Sequence, residues 1–397
     1  MERPEIINQK KKKIKLSYET FWKFIIRPPR DIYPESLLGH PFFAYRNKNY
    51  MRRDFELISS QGYKMKCSFV EPDPAERPCK EMPVIIYLHG NSSSRLEGLR
   101  TLEELLKRDI NLFVVDLPGC GLSDGEYISL GYYESDDVGI IIDFLENFPG
   151  VGSIGLWGRS MGAATTLIYA HRDERVKAIC MDSPFASFCR LAKELTNKYI
   201  TVPGFLVDTM LSFIRGTIIE KNGLDIYKLN PIDYAPITFQ PAMFVHAIND
   251  KLINIQHSID ISTIYGGERT LKCSDVGGHN SKRPEIIVKN IGEFFSKYLQ
   301  DNNDEIISYE ENSDLDENSP NKISLSENKD SKENTNISEE NKIVNSSQEE
   351  YMNKKEEEDL KQFEKMKEIL SNINNDEIEN NNNKINLKIN EDSKKEK

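Results

Sequence analysis

Ser160 stands at the centre of Gly158-Arg159-Ser160-Met161-Gly162, the spacing Gly-x-Ser-x-Gly. Ser153 to Trp157 before it is a short apolar run of strand type, and Ala163 to Ala170 behind it is good helix material. Strand, sharp turn and helix together give this spacing chemical meaning, because the turn strains the serine and lifts its hydroxyl clear of the backbone. Side chains at Gly158 and Gly162 would collide with the neighbouring strand and helix. The helix behind Ser160 points its positive end at whatever reacts there. The plainer reading is a glycine-rich turn with Ser160 as an ordinary helix cap.

A serine hydroxyl is a poor nucleophile at neutral pH, so it needs a base, and the base needs an orienting carboxylate. The histidines are 40, 89, 171, 246, 257 and 279. His279 follows Gly277-Gly278 after the last strand-like run, where a loop can carry an imidazole over the serine. His89 belongs to a turn, His171 ends the helix behind Ser160, and His246 reads as packed within a strand. His257 falls in a helix and His40 precedes the fold. The acid belongs at a strand end between serine and histidine in the chain. Asp250 satisfies this; Asp182 is the rival, with bracing of the Ser183-Pro184 loop as its other role. Asp275 lies too near His279 on its own strand. Two donors must face a developing oxyanion. Met161 N–H, right after the serine, supplies one. The other is expected from Asn91, in the turn His89-Gly90-Asn91, with Gly90 letting the backbone approach; the alternative is a plain glycine turn.

Strand-like and helix-like runs alternate in the chain that carries these groups. Phe55–Ser60 and Tyr63–Val70 read as a hairpin about Gln61-Gly62. Apolar strands follow at Val84–Leu88, Leu112–Val115, Val176–Met181, Pro241–Ala247 and Thr270–Ser274, separated by helices at Leu96–Arg108, Tyr132–Phe148, Ile255–Tyr265 and Glu285–Leu299. This order argues for an α/β fold with a mostly parallel, doubly wound sheet and an antiparallel edge. Chemistry in such sheets sits beyond the carboxyl ends of the strands, where every candidate above falls. Residues 185–240 are too long for one crossover and read as a small helical lid, with helices near Phe188–Tyr199 and Phe205–Arg215. Phe205, Leu206, Met210, Leu211 and Phe213 are expected to face the substrate or to pack the lid down.

Composition divides the chain near residue 300. Residues 1–300 carry 38 Lys+Arg against 37 Asp+Glu, while residues 301–397 carry 14 against 27. The acidic Asn/Glu/Lys-rich segment 301–397 has too little apolar surface to offset chain entropy and is expected to be disordered. Within it, Tyr351 to Ile369 has Leu360, Phe363, Met366 and Ile369 at helical spacing and reads either as part of a solvated acidic tail or as a transient helix where a partner could bind. Residues 1–49 form a basic and aromatic N-terminal extension, ahead of a domain over 50–300. Lys10–Lys15 leading into Phe21, Trp22, Phe24, Ile25 and Ile26 suits either peripheral contact with an anionic membrane through residues 10–30 or a helix packed on the body. The six cysteines show no paired spacing and read as free thiols. No secretory signal or membrane-spanning run is visible, so a cytoplasmic location, membrane-associated at most, is expected. The near-neutral folded part argues against nucleic acid as a partner.

His89-Gly90-Asn91, Asp116-x-Pro-Gly-x-Gly-Leu-Ser-Asp124, Gly158-Arg-Ser-Met-Gly162, the Asp250 loop and Gly278-His279 together resemble the α/β-hydrolase superfamily, over roughly residues 50–300. The order Ser160, Asp250, His279 is that family's order. The branch it looks most like is the serine-aminopeptidase-like, ABHD-type serine hydrolases. The resemblance implies an α/β-hydrolase fold and cleavage of a carboxylic ester or thioester, of a lipid-like or other small-molecule acyl substrate, through an acyl-enzyme, as an esterase, thioesterase or lipase does. Amide cleavage of the aminopeptidase type, or a non-catalytic scaffold of the same fold, are the alternatives. Neither a metal nor an organic cofactor is implied, and no zinc-type His/Cys spacing occurs.

Overall fold

The computed structural model describes residues 18–199, 204–300, 346–358, 360, 361 and 364. Its centre is a nine-stranded sheet of order β1-β2-β3-β5-β4-β6-β7-β8-β9. The strands are β1 (Phe42–Tyr45), β2 (Lys48–Ile58), β3 (Lys64–Pro72), β4 (Met82–Leu88), β5 (Asn111–Val115), β6 (Val151–Arg159), β7 (Val176–Asp182), β8 (Ala242–Ala247) and β9 (Arg269–Ser274). β1, β2, β3 and β5 pair antiparallel in turn; β5, β4 and β6 to β9 run parallel. Every residue of β4 and β5 is buried, as a strand covered on both faces requires. Phe113 and Val115 enter one core, and Leu112 and Val114 the other. That alternation is the two-residue period of a strand read out on both sides of the sheet.

The N-terminal segment belongs to the body. Helix α1 (18–26) buries Trp22, Ile25 and Ile26, and the Ile128 amide donates to the Ile26 carbonyl at 2.8 Å. Of the two readings of residues 10–30, the packed helix is the one seen over 18–26; Lys10–Lys15 lies outside the described residues. The sheet then starts at Phe42, ahead of the boundary expected at residue 50. Arg46 and Asn47, at φ of 48° and 62°, close the β1–β2 hairpin.

Helices α2 (Leu96–Leu99), α3 (Leu102–Leu106), α4 (Glu134–Glu146), α5 (Met161–Ala170), α6 (Phe188–Tyr199), α7 (Gly204–Asn222), α8 (Gln256–Thr263) and α9 (Glu285–Gln300) complete the layers. The helices α4 and α5 pack into the first core, and α2, α3 and α9 into the second. The expected lid helices form, and of the two readings of their apolar side chains, packing down is the one seen for Met210 and Leu211. α7 turns Val207, Leu211, Ile214 and Ile218 into the core, at helical spacing, and leaves Phe205 and Phe213 exposed to solvent. None of Phe205, Met210, Leu211 and Phe213 lines the cavity over Ser160. The side chain of Leu206 lies outside the described residues.

The chain beyond residue 300 contributes a docked element. Helix α10 (346–358) buries Met352 in the second core and sets Tyr351 against Asp31. Phe363, Met366 and Ile369 lie outside the described residues. All six cysteines are free thiols. Among the described residues, no helix is long and apolar enough to cross a membrane.

Candidate active site

β6 ends at Arg159 and α5 begins at Met161, so the chain reverses over one residue. Ser160 takes φ 51° and ψ −110°, which a residue with a Cβ adopts only under constraint. The constraint is visible: the Ser160 amide donates to the Asp182 carbonyl at 2.8 Å, tying the turn to β7. The two glycines are required sterically. A Cβ on Gly158 would lie 2.1 Å from the Gly162 carbonyl oxygen, and one on Gly162 would lie 1.9 Å from that of Leu88.

Ser160, His279 and Asp250 come together as expected from the sequence. His279 Nδ1 lies 2.7 Å from Asp250 Oδ2, and its Nε2 lies 3.0 Å from Ser160 Oγ. The Asp250 side chain is fully buried. Its Oδ1 accepts from the Leu252 and Ile253 amides, both at 2.8 Å, leaving Oδ2 for the imidazole. Burial raises the Asp250 carboxyl, but the neighbouring His279 and hydrogen bonds from His246, His279 and Ile253 outweigh it and hold the group well below the usual carboxylate range. An ionised Asp250 accepts the proton on Nδ1. The Nε2 lone pair is then left to accept from the Ser160 hydroxyl.

Asp182, the rival acid, is occupied elsewhere. Its carboxylate accepts a forked pair from Arg283, with Nε at 2.8 Å and Nη2 at 2.8 Å. Arg283 also donates to the Gly278 carbonyl at 2.8 Å and to that of His279 at 3.3 Å. Arg159, the residue before the serine, donates to the His279 carbonyl at 2.6 Å and sits 3.5 Å from Glu97 Oε1. The backbone of the histidine loop is thus held by two guanidinium groups. Neither arginine was singled out from sequence. The only signal was the position of Arg159 inside the motif.

The turn after β4 is built around His89. Its buried ring lies with Nδ1 2.7 Å from the Gly90 carbonyl, and Nε2 accepts from the Leu117 amide at 3.1 Å. Glu97 accepts from the Gly90 amide at 3.2 Å and from the Tyr87 hydroxyl at 2.9 Å. Asn91 lines the space above Ser160. Met161 N–H opens α5 and has no carbonyl four residues back within the helix to take it. Gly90 differs from the elbow glycines. A Cβ there would meet nothing closer than 3.7 Å, so close packing does not demand glycine. Asp116, in the Asp-x-Pro-Gly-x-Gly run, accepts from Tyr33 hydroxyl at 2.7 Å and the Arg95 amide at 2.6 Å; it braces the turn.

His246 is packed within its strand, as the sequence suggests, and it also supports the Asp250 loop. It is buried in β8, with Nδ1 2.7 Å from Ser258 Oγ, and Nε2 2.9 Å from the Ile253 carbonyl and 3.4 Å from Asp250 Oδ2. With acceptors on both sides, Nε2 carries the proton and steadies the Asp250 loop.

A cavity of about 810 Å³ opens above Ser160 and His279. Phe24 of α1, Leu252 and Met352 of α10 line it along with Asn91.

Residues 83–205 match the family model described as alpha/beta hydrolase fold. Among curated proteins, the chain is 27% identical over 229 residues to the uncharacterized protein YqkD of Bacillus subtilis, covering 57% of this chain and 72% of that one. It is 26% identical over 272 residues to a putative alpha/beta hydrolase of Acanthamoeba polyphaga mimivirus, covering 66% and 90%. Among solved structures, an esterase of Pyrococcus furiosus superposes with a TM-score of 0.52 at 20% identity, covering 69% of this chain and 98% of that one. With the sheet order and the elbow geometry, these matches show an α/β-hydrolase fold.

Proposed function

We propose that the chain is a serine hydrolase cleaving a carboxylic ester or thioester through an acyl-enzyme, with Ser160 as nucleophile, His279 as base and Asp250 as orienting acid. One observation carries this reading: a single imidazole bridges the serine hydroxyl at 3.0 Å and a buried, ionised carboxylate at 2.7 Å. Ser160 Oγ attacks the acyl carbonyl as its proton passes to His279 Nε2. The amides of Met161 and Asn91 are the donors for the resulting oxyanion. The imidazolium then protonates the leaving alcohol or thiol as its bond to the carbonyl carbon breaks. Water, deprotonated by the same nitrogen, attacks the acyl-serine, and the proton returns to Oγ as the free acid leaves. Asp250 stays ionised throughout and stabilises the imidazolium.

The test is Ser160→Ala in the full chain, assayed on short-chain esters, acyl thioesters, monoacylglycerols and amino-acid arylamides beside fluorophosphonate labelling. Turnover is expected to fall roughly 10⁴- to 10⁶-fold and labelling to disappear. Retention of normal turnover by the variant would end the assignment. Arylamide cleavage exceeding ester cleavage in the wild type would move the substrate class to amides.

A further inference from the structure

The cavity above Ser160 has a wall that comes from outside the sheet domain. Met352 and Leu360, from the acidic segment beyond residue 300, line the same space as Ser160 and His279. Phe24 and Leu252 line it from the body. Helix α10 is fastened at the two places where the site is built. Glu349 pairs with Lys282 at 2.6 Å, three residues past His279. Glu356 pairs with Arg100 at 2.9 Å, three residues past Glu97, the acceptor for the Gly90 amide. Tyr351 hydroxyl, between these pairs, donates to Asp31 Oδ1 at 2.7 Å, and Gln348 Nε2, just before them, donates to the Leu37 carbonyl at 2.8 Å. Met352 is 4% exposed, whereas Leu360 is 59% exposed, an apolar side chain at the rim with room for an apolar ligand beside it.

We infer that α10 is the roof of the acyl-binding site, and that Met352 and Leu360 select the acyl chain. The inference rests on the Ser160 reading. Ser160 and His279 form the floor and act on any carbonyl placed between them. What distinguishes one acyl group from another is apolar contact further out, and the roof supplies part of it. A cavity of about 810 Å³ falls within the size range of small-molecule sites and exceeds what an acetyl group fills. An acyl chain of medium length lying along Phe24, Leu252, Met352 and Leu360 would bury apolar surface that acetate leaves exposed.

The experiment compares the full chain, Leu360→Asp, Met352→Trp and a chain ending at Gln300 on p-nitrophenyl acetate and octanoate, with fluorophosphonate labelling of each. The ratio of kcat/KM for octanoate to that for acetate is expected to fall about fivefold or more in all three variants, as loss of one or two methylene contacts implies. A ratio within about twofold of the full chain in labelled variants would overturn the roof while leaving the Ser160 reading intact. An equal rise for both esters on truncation would also overturn it, since the helix would then only obstruct entry. Should the shortened chain fail to fold, Leu360→Asp decides, because an exposed position carries little folding burden. A full chain that does not label refutes the Ser160 reading, and the roof with it.

Discussion

Arg159 links the two halves of the site, and removing it gives a prediction that can be worked through. Its guanidinium donates to the His279 carbonyl at 2.6 Å and faces Glu97 at 3.5 Å, and both side chains are largely buried. Burial would raise the Glu97 carboxyl; Arg159, a Ser93 hydrogen bond, His89 and the Gly90 amide hold it below the usual range. In Arg159→Met, Glu97 keeps the Tyr87 and Gly90 donors but loses its cation. Breaking a buried pair from one side costs about 3–5 kcal/mol, mostly the penalty of the abandoned charge. Neutralising that charge in Arg159→Met/Glu97→Gln should return part of it, giving a coupling of about 1–3 kcal/mol in a double-mutant cycle. Urea denaturation of the four proteins measures the stability cycle. In the double variant the His279 carbonyl keeps only the longer bond from Arg283, at 3.3 Å, so kcat on a good ester should remain depressed after stability is restored. A coupling below about 0.5 kcal/mol would refute the idea that Arg159 and Glu97 act as one buried unit. Recovery of kcat together with stability would refute the positioning of the histidine loop by Arg159.

The remaining predictions concern other parts of the same frame. Asp250→Asn should lower kcat about 10⁴-fold with little loss of fold, because the amide cannot hold the Nδ1 proton as a carboxylate does; Asp182→Asn should chiefly destabilise, by about 3 kcal/mol or more, by leaving Arg283 unpaired. Equal effects of the two substitutions on kcat would contradict the assignment of roles. Gly162→Ala should abolish soluble folding, given the 1.9 Å approach to the Leu88 carbonyl, whereas Gly90→Ala, with nothing nearer than 3.7 Å, should change stability by less than about 1 kcal/mol. Melting temperatures of the two variants check this pair. Burial raises the Asp137 carboxyl to about 6, more than its bonds from Ser60 lower it. Since the folded-state value lies above the unfolded one, the contribution of Asp137 is present at low pH and is lost as pH rises through about 6. The wild type should therefore gain stability relative to Asp137→Asn by up to roughly 3 kcal/mol between pH 7 and pH 4. A flat difference in unfolding free energy across that range would contradict the buried placement of this carboxylate.

The elbow was legible because its demands are local. A strand, a helix and two glycines at fixed offsets leave one way for the backbone to turn, and the collisions at Gly158 and Gly162 are those anticipated from residue type alone. Asp250 and His279 were legible for a similar reason: both sit at strand ends, and the alternation of elements fixes which edge of the sheet those ends share. Arg283, Arg159 and His246 were not, because their partners are backbone carbonyls or distant carboxylates, and no periodicity encodes such a pairing. α7 stays open between two readings in the sequence because its apolar residues are dispersed enough to suit either the core or a ligand; only the stripe 207, 211, 214, 218 separates the two. The docking of α10 is not legible in the sequence because its charge masks a single apolar anchor, Met352, and its ion partners Lys282 and Arg100 lie far away in sequence. The first hairpin was missed because Arg46-Asn47 lacks the glycine that usually marks such a turn.

The molecule has two tryptophans, and the structure gives them different duties. Trp22 sits in the N-terminal helix and Trp157 in the strand leading to the serine, both shielded from water. Each indole is thus a native optical reporter, one for the seating of the leading helix and one for the sheet. Replacing either with phenylalanine would isolate the emission of the other. Detachment of the chain's beginning could then be followed separately from loss of the scaffold that bends the serine.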